Sequence, residues 1–188
     1  MDAVDAAFEA MPRRLFLPAR VRDRAAYDGP LEIGHGQTNS QPRTVADMLR
    51  LLDVRPGQRV LDVGAGSGWT TALIAHLVGP EGEVIGVEIV PELVELGAAN
   101  LAATDQPWAT LVQAEPERFG LPGRGPFDRI LVSADAHRLP EELVDQLATH
   151  GRMVAPVGGR MLVVDRTESG VEVEQHGWYR FVPLLRHR

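Results

Sequence analysis

The chain has 188 residues and a mass of 20.5 kDa, room for one domain with a substantial core. Hydrophobic residues make up 44% and charged residues 24%, a globular composition, and the absence of cysteine excludes disulfide scaffolds, thiolate metal sites and cysteine nucleophiles. The formal net charge of −7 argues against a nucleic-acid partner, and with all 19 basic residues arginine there is no lysine for Schiff-base or general-base chemistry. No apolar run approaches the ~18–20 residues of a membrane span. The start MDAVDAAFEAMPRR places acidic residues ahead of its arginines, the reverse of a secretory signal. A cytoplasmic chain with no membrane contact is expected.

Residues 1–41 read as an irregular lead-in: a short amphipathic start, then PRRLFLP, then IGHGQTNSQP. From Pro42 the pattern changes, with Val45, Met48, Leu49 and Leu52 at helical spacing behind a proline suited to a first turn. After RPGQ comes the short apolar strand Arg59–Val63, the cluster Gly64-Ala65-Gly66-Ser67-Gly68, and an Ala/Leu-rich helix to about Val78. EVIGVE is a second strand and PELVELGAANLAAT a second helix, opened by Pro91. ATLVQA and FDRILV follow as strands, LPEELVDQLA as a helix ending before Gly151, and RMVAPV as the next strand. MLVVDR, VEVEQH and WYRFVPL look like strands without helices between them. Continuously apolar strands alternating with helices imply an α/β fold, doubly wound about a mostly parallel sheet of Rossmann-like type. An antiparallel C-terminal hairpin closes the edge. The expected unit is one domain, 1–188, with 1–41 as lead-in and 42–188 as cofactor-binding core.

In such sheets ligands sit beyond the carboxyl ends of the strands. The glycines permit a tight turn and a close approach of backbone to ligand, and helix amides face the same spot. Glu88, ending the second strand, is placed to accept the hydroxyls of an adenosine ribose. A dinucleotide fingerprint needs G-x-G-x-x-G, and its third glycine position is here Trp69, which is expected to block a pyrophosphate. The observed G-x-G-x-G in VLDVGAGSG instead resembles the first motif of S-adenosylmethionine-dependent methyltransferases. Asp62 either holds the cofactor's ammonium, directly or through water, or caps nearby backbone amides. Trp69 either packs beside the cofactor or braces its helix. The six histidines lie singly with no metal-ligand spacing, so no metal is expected.

The segments MPRRLFLP, AYDGPLEIGHGQTNSQPRTVADML and RVLDVGAGSGWTTALIAHLVG, followed in order by EVIGVEIVPELVELGAANL, PFDRILVSADAHRLPEELVDQL, GRMVAPVGG and RFVPL, resemble the protein-L-isoaspartate O-methyltransferase family from about Met11 to Leu185. The resemblance implies methyl transfer from S-adenosylmethionine to the free carboxylate of isoaspartyl residues in damaged peptides and proteins. A carboxylate is ionised at neutral pH and needs no general base, which suits a sequence without one. Ser40 matches the family's active-site serine in Thr-x-Ser-Gln-Pro. With no partner to activate it, its implied role is to orient the substrate carboxylate, assisted by Thr38. Taken alone, Ser40 also reads as a turn serine before the helix at Pro42.

The implied cofactor site comprises Asp62, Gly64, Ala65, Gly66, Ser67, Gly68, Glu88 and Ile89, with Glu115 beside the adenine. Three departures from the family pattern stand out: Asn39 replaces an Ile, Pro116 a Gly that follows the acidic residue, and Asp135 a small residue after the fourth parallel strand. A loop carrying Ser40 must reach across the strand ends, which makes residues 1–40 the expected cover. The expected partners are isoaspartyl peptides and proteins, met by a monomer. The alternatives are a carboxyl methyltransferase for Asp in one dedicated peptide, a non-catalytic S-adenosylmethionine-binding relative and, more distantly, an NAD-dependent oxidoreductase.

Overall fold

A computed structural model describes residues 2–185. Its lead-in is more ordered than the sequence suggests. Helix α1 (Ala3–Ala10) is held by a capping box in which Asp2 and Asp5 exchange side-chain-to-backbone hydrogen bonds, and it buries Val4 and Ala7. Two 3-10 segments, Arg13–Phe16 and Ala19–Arg24, lead to an antiparallel hairpin of β1 (Leu31–Gly34) and β2 (Gln37–Asn39). Strands of four and three residues are too short for alternation to betray them, so the hairpin escaped the sequence pattern. Helix α2 (Pro42–Leu52) has the expected proline at its start and buries the expected Val45, Met48, Leu49 and Leu52.

The central sheet has seven strands. β3 (Arg59–Val63) lies beside β4 (Glu83–Glu88), which pairs with β5 (Ala109–Gln113). On its other side β3 pairs with β6 (Phe127–Val132), then come β7 (Leu147–Val157), β8 (Arg160–Thr167) and β9 (Gly170–Trp178). The order is β5-β4-β3-β6-β7-β8-β9, parallel up to β7 and antiparallel beyond it. The expected mostly parallel sheet with an antiparallel C-terminal edge is what the chain forms. The order reverses between β3 and β6, the position where such folds bind ligands.

Helices α3 (Trp69–Val78) and α4 (Pro91–Ala102) join α1 and α2 on one apolar layer, with Val60, Val84, Leu131 and Val154 of the sheet. The opposite layer, Leu61, Ile85, Ile130 and Met153, is covered more thinly. There the helix expected over LPEELVDQLA is corrected to one turn, α5 (Glu141–Val144), because the chain enters β7 already at Leu147, opposite Phe127. Pairing with β6 outweighs the helical apolar spacing. WYRFVPL, expected as a strand, has only Trp178 in β9 and otherwise follows an irregular path, bridged to the sheet at Asp135 and Pro183.

The glycine loop after β3 and the middle of α4 approach at backbone distance. A Cβ built on Gly97 would lie 2.5 Å from Leu111 Cδ1 and 2.9 Å from the Gly66 carbonyl oxygen. Gly97→Ala is therefore expected to destabilise the fold by about 1–3 kcal/mol, the usual cost of overpacking a filled core. A lowered denaturant midpoint at unchanged m value checks it.

Candidate active site

β3 delivers its chain directly into the loop 64–68, whose three glycines all have positive φ. At Gly66 the requirement is spatial as well, since a Cβ there would come within 3.1 Å of Ile33 Cδ1 on the β1–β2 hairpin. The loop is fixed to β4: the amides of Gly64 and Ala65 donate to the Val87 carbonyl at 2.9 and 3.1 Å, and the Gly66 amide donates to Glu88 Oε2 at 2.9 Å. Glu88 Oε1 accepts from the amides of Ile89 and Val90 at 2.7 and 3.0 Å. A carboxylate has about four acceptor positions, so these bonds leave one on Oε2 for an incoming hydroxyl.

A pocket with an empty volume of about 630 Å³ opens over these atoms. Of the residues expected to bind cofactor or substrate, Thr38, Gly64, Gly66, Glu88, Ile89 and Glu115 line it. Glu115 is exposed and 3.8 Å from Arg118, so Pro116 does not remove its carboxylate from the rim. Ser40, Ala65 and Ser67 instead border a narrow space between β2 and the glycine loop, which Thr38, Gly64 and Gly66 also line. Beyond Thr38 and Ser40 lies an open groove edged by Gln41, Arg43, Tyr179 and Arg180.

Two expected residues sit elsewhere. Gly68 caps α3 and packs on Gly97. Asp62 is fully buried beneath the loop, where Oδ2 accepts from the hydroxyls of Thr70 and Thr71 at 2.6 and 2.7 Å and Oδ1 faces the Ser133 hydroxyl at 3.4 Å. It neither lines the pocket nor caps amides. Its bonds are to side-chain hydroxyls, and it braces the start of α3 against β3. Trp69 turns away from the pocket: its ring meets Phe8 edge-on at 5.3 Å and its Nε1 donates to the Met11 carbonyl at 2.9 Å, so it braces the N-terminal segment.

The sequence missed part of the walls. Ile33 and Gln37 come from the hairpin, Ser133 and Ala134 from the end of β6, and Val182–Leu185 from the C-terminal segment. RFVPL reads in the sequence as part of a strand and as a segment resembling the family, and neither reading marks it as a wall of the pocket. Asp135 places this wall. Its amide donates to the Val182 carbonyl and its carbonyl accepts from Leu184, while its carboxylate accepts from the Gly159 amide at 3.3 Å. The acidic side chain thus faces the β7–β8 turn and lines neither the pocket nor the groove.

The sequence pattern described as Protein-L-isoaspartate(D-aspartate) O-methyltransferase (PCMT) matches residues 1–188. The chain is 47% identical to a protein-L-isoaspartate O-methyltransferase of Methanopyrus kandleri, over 93% of this chain and 80% of that protein. It is 45% identical to one from Aeropyrum pernix, over 95% of this chain and 71% of that protein. Among solved structures, a protein-L-isoaspartate O-methyltransferase superposes with a TM-score of 0.87 at 24% identity, covering 97% of this chain and 61% of that one. A Plasmodium falciparum structure described as a beta-aspartate methyltransferase, in complex with S-adenosyl-L-homocysteine, superposes with a TM-score of 0.79 at 28% identity, covering 98% of this chain and 90% of that one.

Burial pushes the Asp62 carboxyl up to about 6, against the opposing effect of its three hydroxyl contacts. Because the folded value lies above the unfolded one near 3.8, the folded state holds the extra proton between them. Stability therefore falls as pH rises through the window from about 4 to 6. Asp62→Asn, which carries no charge, is expected to lack this dependence and to melt above the unsubstituted chain at pH above about 6, with the difference closing in acid. Thermal melts of both proteins inside and above that window check it.

Proposed function

The chain belongs to the protein-L-isoaspartate (D-aspartate) O-methyltransferase family, and we propose that it methylates the free carboxylate of L-isoaspartyl residues in damaged peptides and proteins, using S-adenosylmethionine. The observation that carries this reading is the position of Thr38. It lines the deep pocket, the narrow space under the glycine loop and the open groove, so the three meet at β2. A reaction between a small cofactor and a residue embedded in a polypeptide needs such a junction.

The pocket fits the cofactor on its own terms: a floor of bare backbone held at positive φ at Gly64 and Gly66, and a carboxylate at the end of β4 with an acceptor position left open. Gly64, Gly66, Glu88 and Ile89 are proposed to hold it, with Glu115 at the adenine end. Bound there, S-adenosylmethionine supplies an electrophilic methyl group on a sulfonium. Ser40 and Thr38 are proposed to donate hydrogen bonds that fix one oxygen of the substrate carboxylate and leave the other free to act as nucleophile. No proton has to move, because that carboxylate is already ionised. The protein's contribution is alignment and the stripping of water, and alignment alone can supply roughly 7–11 kcal/mol. The product ester then closes to a succinimide without the enzyme, as the backbone amide nitrogen of the following residue displaces methanol, and hydrolysis by water returns part of it as normal aspartate.

Ile33 of the hairpin lies beside Gly66 and both line the pocket, which supports residues 1–40 as the cover over the cofactor. We propose further that residues 1–41 and 42–188 work as one domain, and that the protein acts as a cytoplasmic monomer without nucleic-acid or membrane partners. The net charge of −7 argues against a nucleic-acid partner, and among the described residues no helix is long and apolar enough to cross a membrane.

Transfer of labelled methyl from S-adenosylmethionine to matched isoaspartyl and aspartyl peptides tests the reading, with label expected on the isoaspartyl peptide alone. Ser40→Ala is expected to lower kcat/KM for that peptide roughly 10- to 100-fold, the worth of one hydrogen bond to a charged group, about 1.5–3 kcal/mol. Its affinity for S-adenosylhomocysteine should stay within about twofold, whereas Glu88→Ala should weaken that affinity by a comparable 10- to 100-fold. Binding of S-adenosylhomocysteine with transfer to neither peptide would point to one dedicated substrate instead.

A further inference from the structure

Asn39 lies between two groups that the reaction requires to be held in register. Its backbone joins Thr38 to Ser40, and its side chain points the opposite way from theirs, into the protein, where it is 5% exposed. There Oδ1 accepts from Arg13 Nε at 2.6 Å and Nδ2 donates to Ser67 Oγ at 3.1 Å. A guanidinium only donates, so Oδ1 must face Arg13 and Nδ2 must face the serine. Ser67 is 2% exposed, between Gly66 and Gly68, and its carbonyl accepts from Asn100 Nδ2 at 2.9 Å. One amide thus ties the strand carrying the substrate-orienting hydroxyls to the loop carrying the cofactor-contacting backbone.

We propose that Asn39 is a positioning residue that couples the two halves of the site through Arg13 on one side and Ser67 on the other. The proposal rests on the methyltransferase reading above. Neither Asn39 nor Arg13 lines the pocket of about 630 Å³, and Asn39, which borders the narrow space under the glycine loop, has both ends of its amide bonded to protein, so their effect on catalysis passes through Ser40 and through the glycine loop. The Arg13 fork adds to this by donating to the carbonyls of both Asn39 and Ser40 at 2.9 Å. Order imposed on the glycine loop by a bound cofactor is thereby transmitted to β2, and order imposed on β2 by a bound peptide is transmitted back, as linkage requires.

The chemistry separates this from a merely structural role. Asn39→Leu removes both bonds while keeping the branched outline of the side chain. Asn39→Asp keeps both, because one carboxylate oxygen still accepts from Arg13 and the other accepts a proton turned toward it by the Ser67 hydroxyl. The measurements are the dissociation constant for S-adenosylhomocysteine by calorimetry, KM and kcat for an isoaspartyl peptide, and the melting temperature. Asn39→Leu is expected to weaken S-adenosylhomocysteine binding and raise peptide KM, each roughly 3- to 10-fold, the worth of one neutral hydrogen bond, with Asn39→Asp recovering most of both.

Ser67→Ala is expected to raise the peptide KM as well as the cofactor dissociation constant. In the Ser67→Ala background, Asn39→Leu should then change the latter little. Should Asn39→Leu not fold, the peptide KM of Ser67→Ala still decides. A full-size, additive effect of Asn39→Leu on S-adenosylhomocysteine binding in that background would overturn the coupling. So would a lowered melting temperature with both constants unchanged, or an unaltered peptide KM in Ser67→Ala. Absence of S-adenosylhomocysteine binding to the unsubstituted chain would instead sink the methyltransferase reading, and the coupling with it.

Discussion

The site depends on how one buried cation is satisfied. Arg13 is 5% exposed, and taking a guanidinium out of water is costly unless its donors are matched. Here Nη1 donates to the Tyr27 carbonyl, Nη2 to the carbonyls of Gly29, Asn39 and Ser40, and Nε to the Asn39 side chain, all within 2.9 Å. Among the described residues no ion pair includes it, and the Asp28 charge acts on it from farther away. Burial lowers its pKa to about 10, which still leaves it charged at neutral pH. A lysine has three donors on one point and cannot spread them over five acceptors along two chain segments, whereas the planar fork does so without rearrangement.

That arrangement explains how a lead-in built of short, separate elements is held against the core. The residues from Tyr27 to Ser40 form only a short hairpin, yet their carbonyls converge on a side chain fixed just after α1. Trp69 completes the attachment from the other side: the Arg13 guanidinium lies 5.5 Å from the centre of its ring, and its Nε1 holds the Met11 carbonyl. The segment that carries Thr38 and Ser40 is therefore anchored to the first residue of α3, immediately after the glycine loop. A reaction accelerated mainly by alignment needs that anchoring, because small displacements of the carboxylate forfeit much of the gain.

The block from Arg59 to Ala102 was legible almost to the residue, because each boundary carries its own chemistry. A glycine cluster ends β3, a glycine ends α3, and Pro91 opens α4. The antiparallel edge was legible for the same local reason, as apolar runs separated by short Gly-containing turns. Where non-local contacts decide, the pattern misled. Leu147 and the residues after it complete a helical spacing in sequence, but pairing with β6 makes them a strand. The β1–β2 hairpin and the wall at Val182–Leu185 owe their positions to Arg13 and to Asp135, and nothing local announces either. At the site, the residues named by motif were mostly found together, while Asp62 and Trp69 proved to brace the elements that present them.

The three departures from the family pattern can be weighed by where their side chains end. Asp135 spends its carboxylate on the Gly159 amide and its backbone on positioning the pocket wall, so its charge lies outside the path of an anionic substrate. Pro116 leaves the Ala114 amide bonded to the Glu88 carbonyl at 2.8 Å and Glu115 on the pocket lining, so the third-strand loop still reaches the cofactor side. Asn39 differs in kind. A polar side chain in a position described as apolar would cost stability if its atoms were unmatched, yet both ends of this amide are bonded, one to a cation and one to a hydroxyl. Of the three departures only Asn39 connects the strand that presents Thr38 and Ser40 to the glycine loop, so alignment resides partly in a side chain bonded to Arg13 and Ser67.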